Sequence, residues 1–373
     1  MDKIIPYQRQ FIDEKDIEAV VQTLKSDFIT TGPKVKEFEQ RFAEYVGAKY
    51  AIAISNGTAA LHLACLASGL KYGDELITSP LTFLASSNCA LYCGAKPIFT
   101  EIDNQGLIDL KDISNKTNEK TKIIIPVHYG GLPFNTKKLR ESFNGIIIED
   151  AAHALGAKNG TEKIGSCTHS DMCIFSFHPV KHITTGEGGM ITTNSEELYK
   201  KLIVLRSHGI DPSKKTEDEP WGTPMVSLGY NYRITDIQCA LGLSQLDKVD
   251  GFIMASRKLA ERYDRAFADN KDIRTIKEKE GQFNSYHLYP ILVGNSKVRL
   301  DLYNYLRKNN IFAQIHYKPV YLQPYYQSLG YEKGLCPKAE EFYNQVLSLP
   351  IYPQLTEEDQ DFVVRKINEF FEE

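Results

Sequence analysis

Three short stretches hold the residue types from which chemistry could be built. In "FSFHPVKHITTGEGGM", Phe175 to Met190, an apolar segment runs into Lys181, which His178 and His182 flank. A Gly-rich turn with one acid, Glu187, follows. "IIIEDAAHALGA" sets Asp150 just past a run of three isoleucines, after Glu149, and Ser55-Asn56-Gly57-Thr58 follows "YAIAI" and opens a helix-like segment. Each has a plain reading when taken singly. Lysine is usually a surface residue, Asp150 could cap a helix, and the Ser-Asn-Gly-Thr turn could simply join a strand to a helix with Thr58 near the cap.

Taken together, the three suggest more. The N–H groups and dipole of a helix N-terminus suit a phosphate. Gly57 allows close backbone approach, and Thr58 adds a hydroxyl. A carboxylate closing an apolar strand is largely desolvated and needs a cationic or donor partner. A protonated ring nitrogen would serve Asp150 in that way. A lysine beside a positive ring nitrogen and a phosphate can lose its proton, become nucleophilic and form a Schiff base with an aldehyde. A phosphate site, an acid for a pyridine nitrogen and a reactive lysine together describe a pyridoxal 5'-phosphate pocket, with no metal required.

The elements that would position these residues follow from hydrophobic pattern. Short apolar runs recur at 50–55, 75–79, 96–102, 122–128, 145–150 and 173–177, with helix-like segments at 58–69, 84–93 and 136–142 between them. Continuous β-branched runs alternating with helices predict a mostly parallel α/β sheet covered on both faces. Ligands of such sheets sit at the carboxyl ends of the strands, where Thr58 and Asp150 fall. From about residue 200 the pattern changes to a helix, a breaker-rich loop at 211–224 and one long amphipathic helical stretch at 235–267. Strand-like 287–293, helical 297–310, strand-like 312–317 and a terminal helix from 357 complete the chain. The expectation is a large cofactor-binding domain with the N-terminal segment, 1–240, and a smaller α+β domain, 241–373.

Composition excludes other classes. Acids and bases are mixed at a net charge of -4, with no basic stripe for nucleic acid or a membrane surface. Seven cysteines without a CxxC pair read as buried thiols rather than a metal site or disulfides. The start, "MDKIIPYQRQ", has no apolar signal core, and 51–70 is too polar for a membrane span. A cytoplasmic protein is expected. "GEGGM" lacks the spacing of a dinucleotide fingerprint and does not open a helix after the first strand.

The chain resembles the DegT/StrS group of nucleotide-sugar aminotransferases, in the fold-type I, aspartate aminotransferase-like class. The resemblance runs through "TTGPKVKEFEQRFAEYVGAKYAIAISNGTAALHLA", "DELITSPLTFLASSNCALYCGAKPIFTEID", "EDAAHALGA", "SFHPVKHITTGEGGM", "RSHGI" and "GYNYRITDIQCALGLSQL". It implies that Lys181 is the Schiff-base lysine and proton shuttle. It implies that Asp150 holds the pyridine nitrogen protonated, and that Ser176 binds phosphate with Gly57 and Thr58. Phe83 would lie against the ring face and His153 near the phenolic oxygen. Asn231 would reach a phosphate across a homodimer interface, with Arg233 a second candidate for that task. Residue by residue, Phe83 could equally be core, His178 and His182 satisfied or exposed histidines, and Glu187 the partner of a nearby base. His62 and His128 are taken as structural.

"NSYHLYPILV", "IFAQIHYKPVYLQPYY" and "SLPIYPQLT" look closest to the branch that aminates a UDP-linked 4-keto-6-deoxy-N-acetyl sugar in pseudaminic acid synthesis. That resemblance implies L-glutamate as donor, His316 and Tyr317 facing the site from the small domain, and Tyr7 and His178 as further sugar contacts. Another nucleotide-linked keto sugar is the alternative. A dehydratase of the same fold typically has histidine at the lysine position, and a non-catalytic binding protein would not need the Lys181, Asp150 and Ser176 set.

Overall fold

The computed structural model describes residues 4–372. Seven strands form the central sheet: β1 (Tyr50–Ile54), β2 (Glu75–Thr78), β3 (Lys96–Phe99), β4 (Thr121–Ile125), β5 (Ile146–Asp150), β6 (Met172–Ser176) and β7 (Gly189–Thr193). Their order across the sheet is β1-β7-β6-β5-β4-β2-β3. All neighbours are parallel except β7, which runs antiparallel to both β1 and β6. The six apolar runs read from sequence are β1 to β6, each within a few residues of the expected limits.

Both faces of the sheet are buried, which is why the strands read as continuous apolar runs. Side chains still alternate in direction. Met172 and Ile174 pack with Ile52, Ile54 and Ile148 under the helix Gly57–Ala67. Cys173, Phe175 and Phe177 turn the other way, onto Phe38 and Phe42 of the helix Pro33–Val46. Phe42 meets Phe175 and Phe177 edge-on, with ring centroids 5.0 and 5.6 Å apart.

The long helical stretch is two helices, Asp236–Leu246 and Val249–Ala266. No glycine or proline marks the break. Lys248 lies between them, and its ammonium reaches Asp13 at 2.8 Å and Asp16 at 2.7 Å. The first of these helices packs on Glu14–Leu24 and Pro33–Val46, so residue 240 falls inside a helix of the large domain and the chain turns away at 247–248.

The smaller domain centres on an antiparallel sheet of Arg274–Thr275, Tyr289–Leu292 and Val346–Leu349, the last of which the hydrophobic pattern did not reveal. Residues 312–317 were expected as a strand, yet only Ile311–Phe312 is paired there, to Ile5–Pro6 of the N-terminal segment. Beyond a bridge at Gln314, this chain turns its polar groups to other partners. The N-terminal segment therefore joins the small domain first and the large domain afterwards. No helix among the described residues is long and apolar enough to cross a membrane.

Candidate functional site

A cavity of about 670 Å³ opens at the carboxyl edge of the central sheet, between the two domains. The antiparallel strand β7 shapes it. The connection from β6 to β7 starts and ends at this edge, and Lys181 rides on it. Gly189 opens β7 opposite both Ser176 and Ile54, so the ends of β6 and β1 lie beside each other.

The phosphate-type corner is formed by that register. Asn56 caps the helix Gly57–Ala67 by accepting the Ala59 N–H at 2.8 Å. Asn56, not Thr58, is therefore the cap, and Gly57 and Thr58 fill the first turn with Thr58 free to face the cavity. A β-carbon on Gly57 would sit 3.0 Å from Ser176 Cβ, and one on Gly189 would sit 2.7 Å from the Asn56 carbonyl carbon. Gly189 is required by its approach to main chain, and at Gly57 the Ser176 side chain would have to give by a few tenths of an ångström.

Asp150 lies on the floor, 6% exposed. It caps no helix. Its Oδ1 accepts the Ala152 N–H at 3.1 Å, and its Oδ2 accepts the Ser86 hydroxyl at 2.6 Å. Ser86 in turn is 2.6 Å from the Thr82 hydroxyl, so the donors run Thr82 to Ser86 to Asp150. A carboxylate held by a hydroxyl and an amide keeps lone pairs for a further donor, and burial makes a charged donor favourable. Phe83, five residues after Thr78 closes β2, is 59% exposed and lines the cavity rather than the core. A planar ring laid on it would cover that apolar face.

Lys181 is half-buried. Burial draws its ammonium down to about 8 from an ordinary 10.5, against the opposing pull of Asp150. Four histidines gather near it. His153 and His287 have ring centroids 4.4 Å apart, and His287 and His182 lie 5.6 Å apart. Burial, with Lys181 adding to it, holds His153 and His287 well below the usual imidazole range. Burial likewise takes His182 to about 4 and His316 to about 3. All four are neutral near pH 7, so none of these four rings adds a cation beside Lys181.

The structure brings Tyr7, His178, His316 and Tyr317 to the same cavity as Gly57, Thr58, Phe83, Asp150, His153, Ser176 and Lys181. Tyr317 is 3.1 Å from His153 Nε2 through its hydroxyl, and Tyr7 stands 5.3 Å from His316, ring to ring. His178 is exposed, and Glu187 sits at the rim. His182 points away from the main cavity, to the Ser285 carbonyl at 3.1 Å. Asn231 and Arg233 do not line the cavity of their own chain; Asn231 is exposed. The residue reading missed Ser86, Thr82 and His287. Ser86 and Thr82 lie within the quoted "SPLTFLASS" and His287 within "NSYHLYPILV", yet no spacing ties either to Asp150 or Lys181.

This donor set fits pyridoxal phosphate: a helix N-terminus with a serine for the phosphate, a buried carboxylate for the ring nitrogen, an exposed aromatic face, and an amine with a lowered pKa. A family model described as DegT/DnrJ/EryC1/StrS aminotransferase matches residues 10–368. A Campylobacter jejuni protein named UDP-4-amino-4,6-dideoxy-N-acetyl-beta-L-altrosamine transaminase is 40% identical, over 96% of each chain. Helicobacter pylori PseC, described as an aminotransferase involved in the biosynthesis of pseudoaminic acid, superposes with a TM-score of 0.92 at 34% identity, covering 99% of this chain and 100% of that one. Spr1654 of Streptococcus pneumoniae, described as a putative sugar aminotransferase and solved in a PLP-form and a PMP-form, gives a TM-score of 0.92 at 31% identity, covering 99% of this chain and 98% or more of its own.

Proposed function

The chain belongs to the DegT/DnrJ/EryC1/StrS aminotransferase family, whose members depend on pyridoxal phosphate, and from that premise we propose its reaction. It moves the amino group of L-glutamate to C4 of a UDP-linked 4-keto-6-deoxy-N-acetylhexosamine, in pseudaminic acid biosynthesis in the cytoplasm. The observation that carries the aminotransferase part is the half-buried Lys181 amine in one cavity with Asp150 and Ser176, its pKa drawn to about 8; the likeness to the altrosamine transaminase supports the choice of sugar.

When bound, pyridoxal phosphate supplies an electron sink and carries the amino group between the two half-reactions. Asp150, fixed by Ser86 and the Ala152 amide, would accept from the protonated ring nitrogen. Lys181 Nζ takes the proton from the donor's α carbon, and in the reverse sense delivers one to C4 of the sugar. Ser176, Gly57 and Thr58 would hold its phosphate. Tyr7, His178, His316 and Tyr317 border the space left for the sugar. Burial holds the His316 and His153 imidazoles neutral there.

The active unit is a homodimer in which Asn231 and Arg233 of one chain complete the partner's site. Exposed Phe28, Ile29, Met225 and Leu228 support this, since they lie close in sequence or in backbone pairing to the Asn231 loop. A mixed dimer of Lys181→Ala and Asn231→Ala chains tests it. With crossover, both lesions fall on one site and about half of native activity survives, because one of two sites is intact. If Asn231 serves its own chain, no site is intact.

The substrate test is product analysis with glutamate and a panel of UDP- and GDP-linked 4-keto sugars. Amination of the UDP-linked N-acetyl sugar with release of 2-oxoglutarate is expected. Turnover of a GDP sugar alone would sink the substrate assignment while leaving the aminotransferase intact.

A further inference from the structure

His128 and Glu149 adjoin the site without entering the cavity, and they are 0% and 5% exposed. Glu149 precedes Asp150 on β5, so its side chain points to the opposite face of the sheet. There it accepts His128 Nε2 at 3.0 Å, the Thr136 hydroxyl at 2.7 Å and the Ser170 hydroxyl at 2.6 Å. The other nitrogen of His128, Nδ1, accepts the Phe134 N–H at 2.9 Å. These contacts assign the ring: Nδ1 is bare and Nε2 carries the proton. The main-chain N–H of His128 donates to the Asp150 carbonyl at 3.1 Å. One ring thus ties together the two ends of the loop 128–134, whose turn is made by Gly130 and Gly131 at φ 65° and 101°.

That loop touches the site's imidazoles at several points. Gly130 N–H donates to His153 Nδ1 at 3.4 Å. The Tyr129 hydroxyl donates to the His316 carbonyl at 2.5 Å. The carbonyls of Gly131 and Gly130 accept from Ser285 and Leu288, at 3.2 and 3.0 Å, and so fix the segment that carries His287.

We propose, resting on the aminotransferase reading, that His128 and Glu149 are positioning residues: a latch that holds the loop 128–134 so that Gly130 sets His153 in one neutral form, with its proton on Nε2. In that form Nε2 donates to the Tyr317 hydroxyl, 3.1 Å away. Glu149 acts here as an acceptor of hydrogen bonds and not through its charge. The buried pair reaches the reaction only through the main chain of the loop.

The first test needs no substrate. In the cofactor-free protein with nitrogen-15 histidine, imidazole shifts report which nitrogen of each ring is protonated. His153 is expected wholly in the Nε2–H form in the native protein and as a mixture in His128→Gln and Glu149→Ala. An unchanged His153 signal in both variants overturns the latch. The second test is a double-mutant cycle on kcat in the holoenzyme. His128→Gln should lower kcat by roughly 5- to 10-fold, the order of the one or two hydrogen bonds of His153 that it unsets. In a His153→Ala background the same change should cost less than about 3-fold, because the two act as one unit. Equal losses in both backgrounds mean a general structural role and overturn the proposal.

Glu149→Gln retains an acceptor oxygen and should stay within about 3-fold of native. A loss as large as that of Glu149→Ala overturns the hydrogen-bond account. If His128→Gln does not fold, Thr136→Val, which removes one donor to Glu149, enters both tests with the same expected signs. Should no sugar be turned over, the aminotransferase reading fails, and the imidazole test still decides the latch.

Discussion

On the large-domain side of the cavity, Asp150, Ser176 and the Gly57–Thr58 turn stand at the ends of hydrogen-bonded strands. On the small-domain side, His287, His316 and Tyr317 stand on irregular chain between short strands. The first wall is set by sheet register, since Gly189 pairs with both Ser176 and Ile54. The second is set by bonds to backbone carbonyls, from Gln8 to His287 at 2.7 Å and from Tyr129 to His316 at 2.5 Å. A register is cooperative, and one misplaced strand end disturbs every residue along the edge. Bonds to separate carbonyls can fail one at a time. Substitutions on the sheet wall should therefore act steeply, and those on the loop wall gradually.

The steepest effect is expected at the lysine. Lys181→Ala should lower turnover by on the order of 10³-fold or more, with the melting temperature nearly unchanged, because the amine serves chemistry and not packing. Near-native transamination by this variant would remove Lys181 from its role. The same residue carries a pH signature in the cofactor-free protein. Its ammonium loses its proton near 8, so the amine is protonated below that pH and free above it. Site-resolved labelling with an amine-directed reagent should switch on across pH 8 at Lys181, while exposed lysines await higher pH. A midpoint at the ordinary 10.5 would contradict the burial.

Next comes Asp150→Asn. The amide can still accept the Ser86 hydroxyl, so the fold should persist, yet it cannot stabilise a protonated ring nitrogen as a carboxylate does. Proton abstraction should slow by on the order of 10²-fold or more. An unchanged deuterium-sensitive step with α-deuterated glutamate would count against the assignment.

Gly189→Ala probes the register itself. The new methyl would lie 2.7 Å from the Asn56 carbonyl carbon and 2.9 Å from the Gly57 nitrogen, both main-chain atoms that cannot swing aside. A loss of about 1–3 kcal/mol in stability is expected, together with weaker binding of pyridoxal phosphate. Denaturant midpoints and cofactor titration measure the two. Lost stability with unchanged cofactor affinity would separate the register from the phosphate corner.

The smallest effect is expected on the loop wall. Tyr317→Phe removes only the hydroxyl that meets His153 Nε2. One hydrogen bond is worth about 1 kcal/mol, or roughly 5-fold in kcat/KM. A loss as steep as that of Asp150→Asn would erase the distinction between the two walls.

Much of the sheet wall was readable along the chain. The three isoleucines before Glu149 and Asp150 specify a buried strand and its end, and the Ser-Asn-Gly-Thr turn specifies a helix start, although its cap proved to be Asn56 and not Thr58. Phe83 was the harder case on that side, because nothing in "SPLTFLASS" says whether a phenylalanine faces a cavity or a core. Lys248, which lies at the break in the helical stretch, was hidden for the same reason: its partners Asp13 and Asp16 are over 230 positions away.

By itself the sequence determined the alternation of strand and helix, the strand ends that carry Asp150 and Ser176, and the turn that carries Gly57. These depend on periodicity and capping, which act over a few neighbouring residues. Only the tertiary structure decided that Ser86 lies under Asp150, 64 positions away, and that Tyr317 meets His153 across 164. It also decided that His287 stands near Lys181 and that His128 ties the loop whose glycines fix the segment of His287. Such pairings come from packing two domains and an N-terminal segment against one edge. A hydroxyl or an imidazole finds its partner there through burial and geometry, and leaves no periodic trace along the chain.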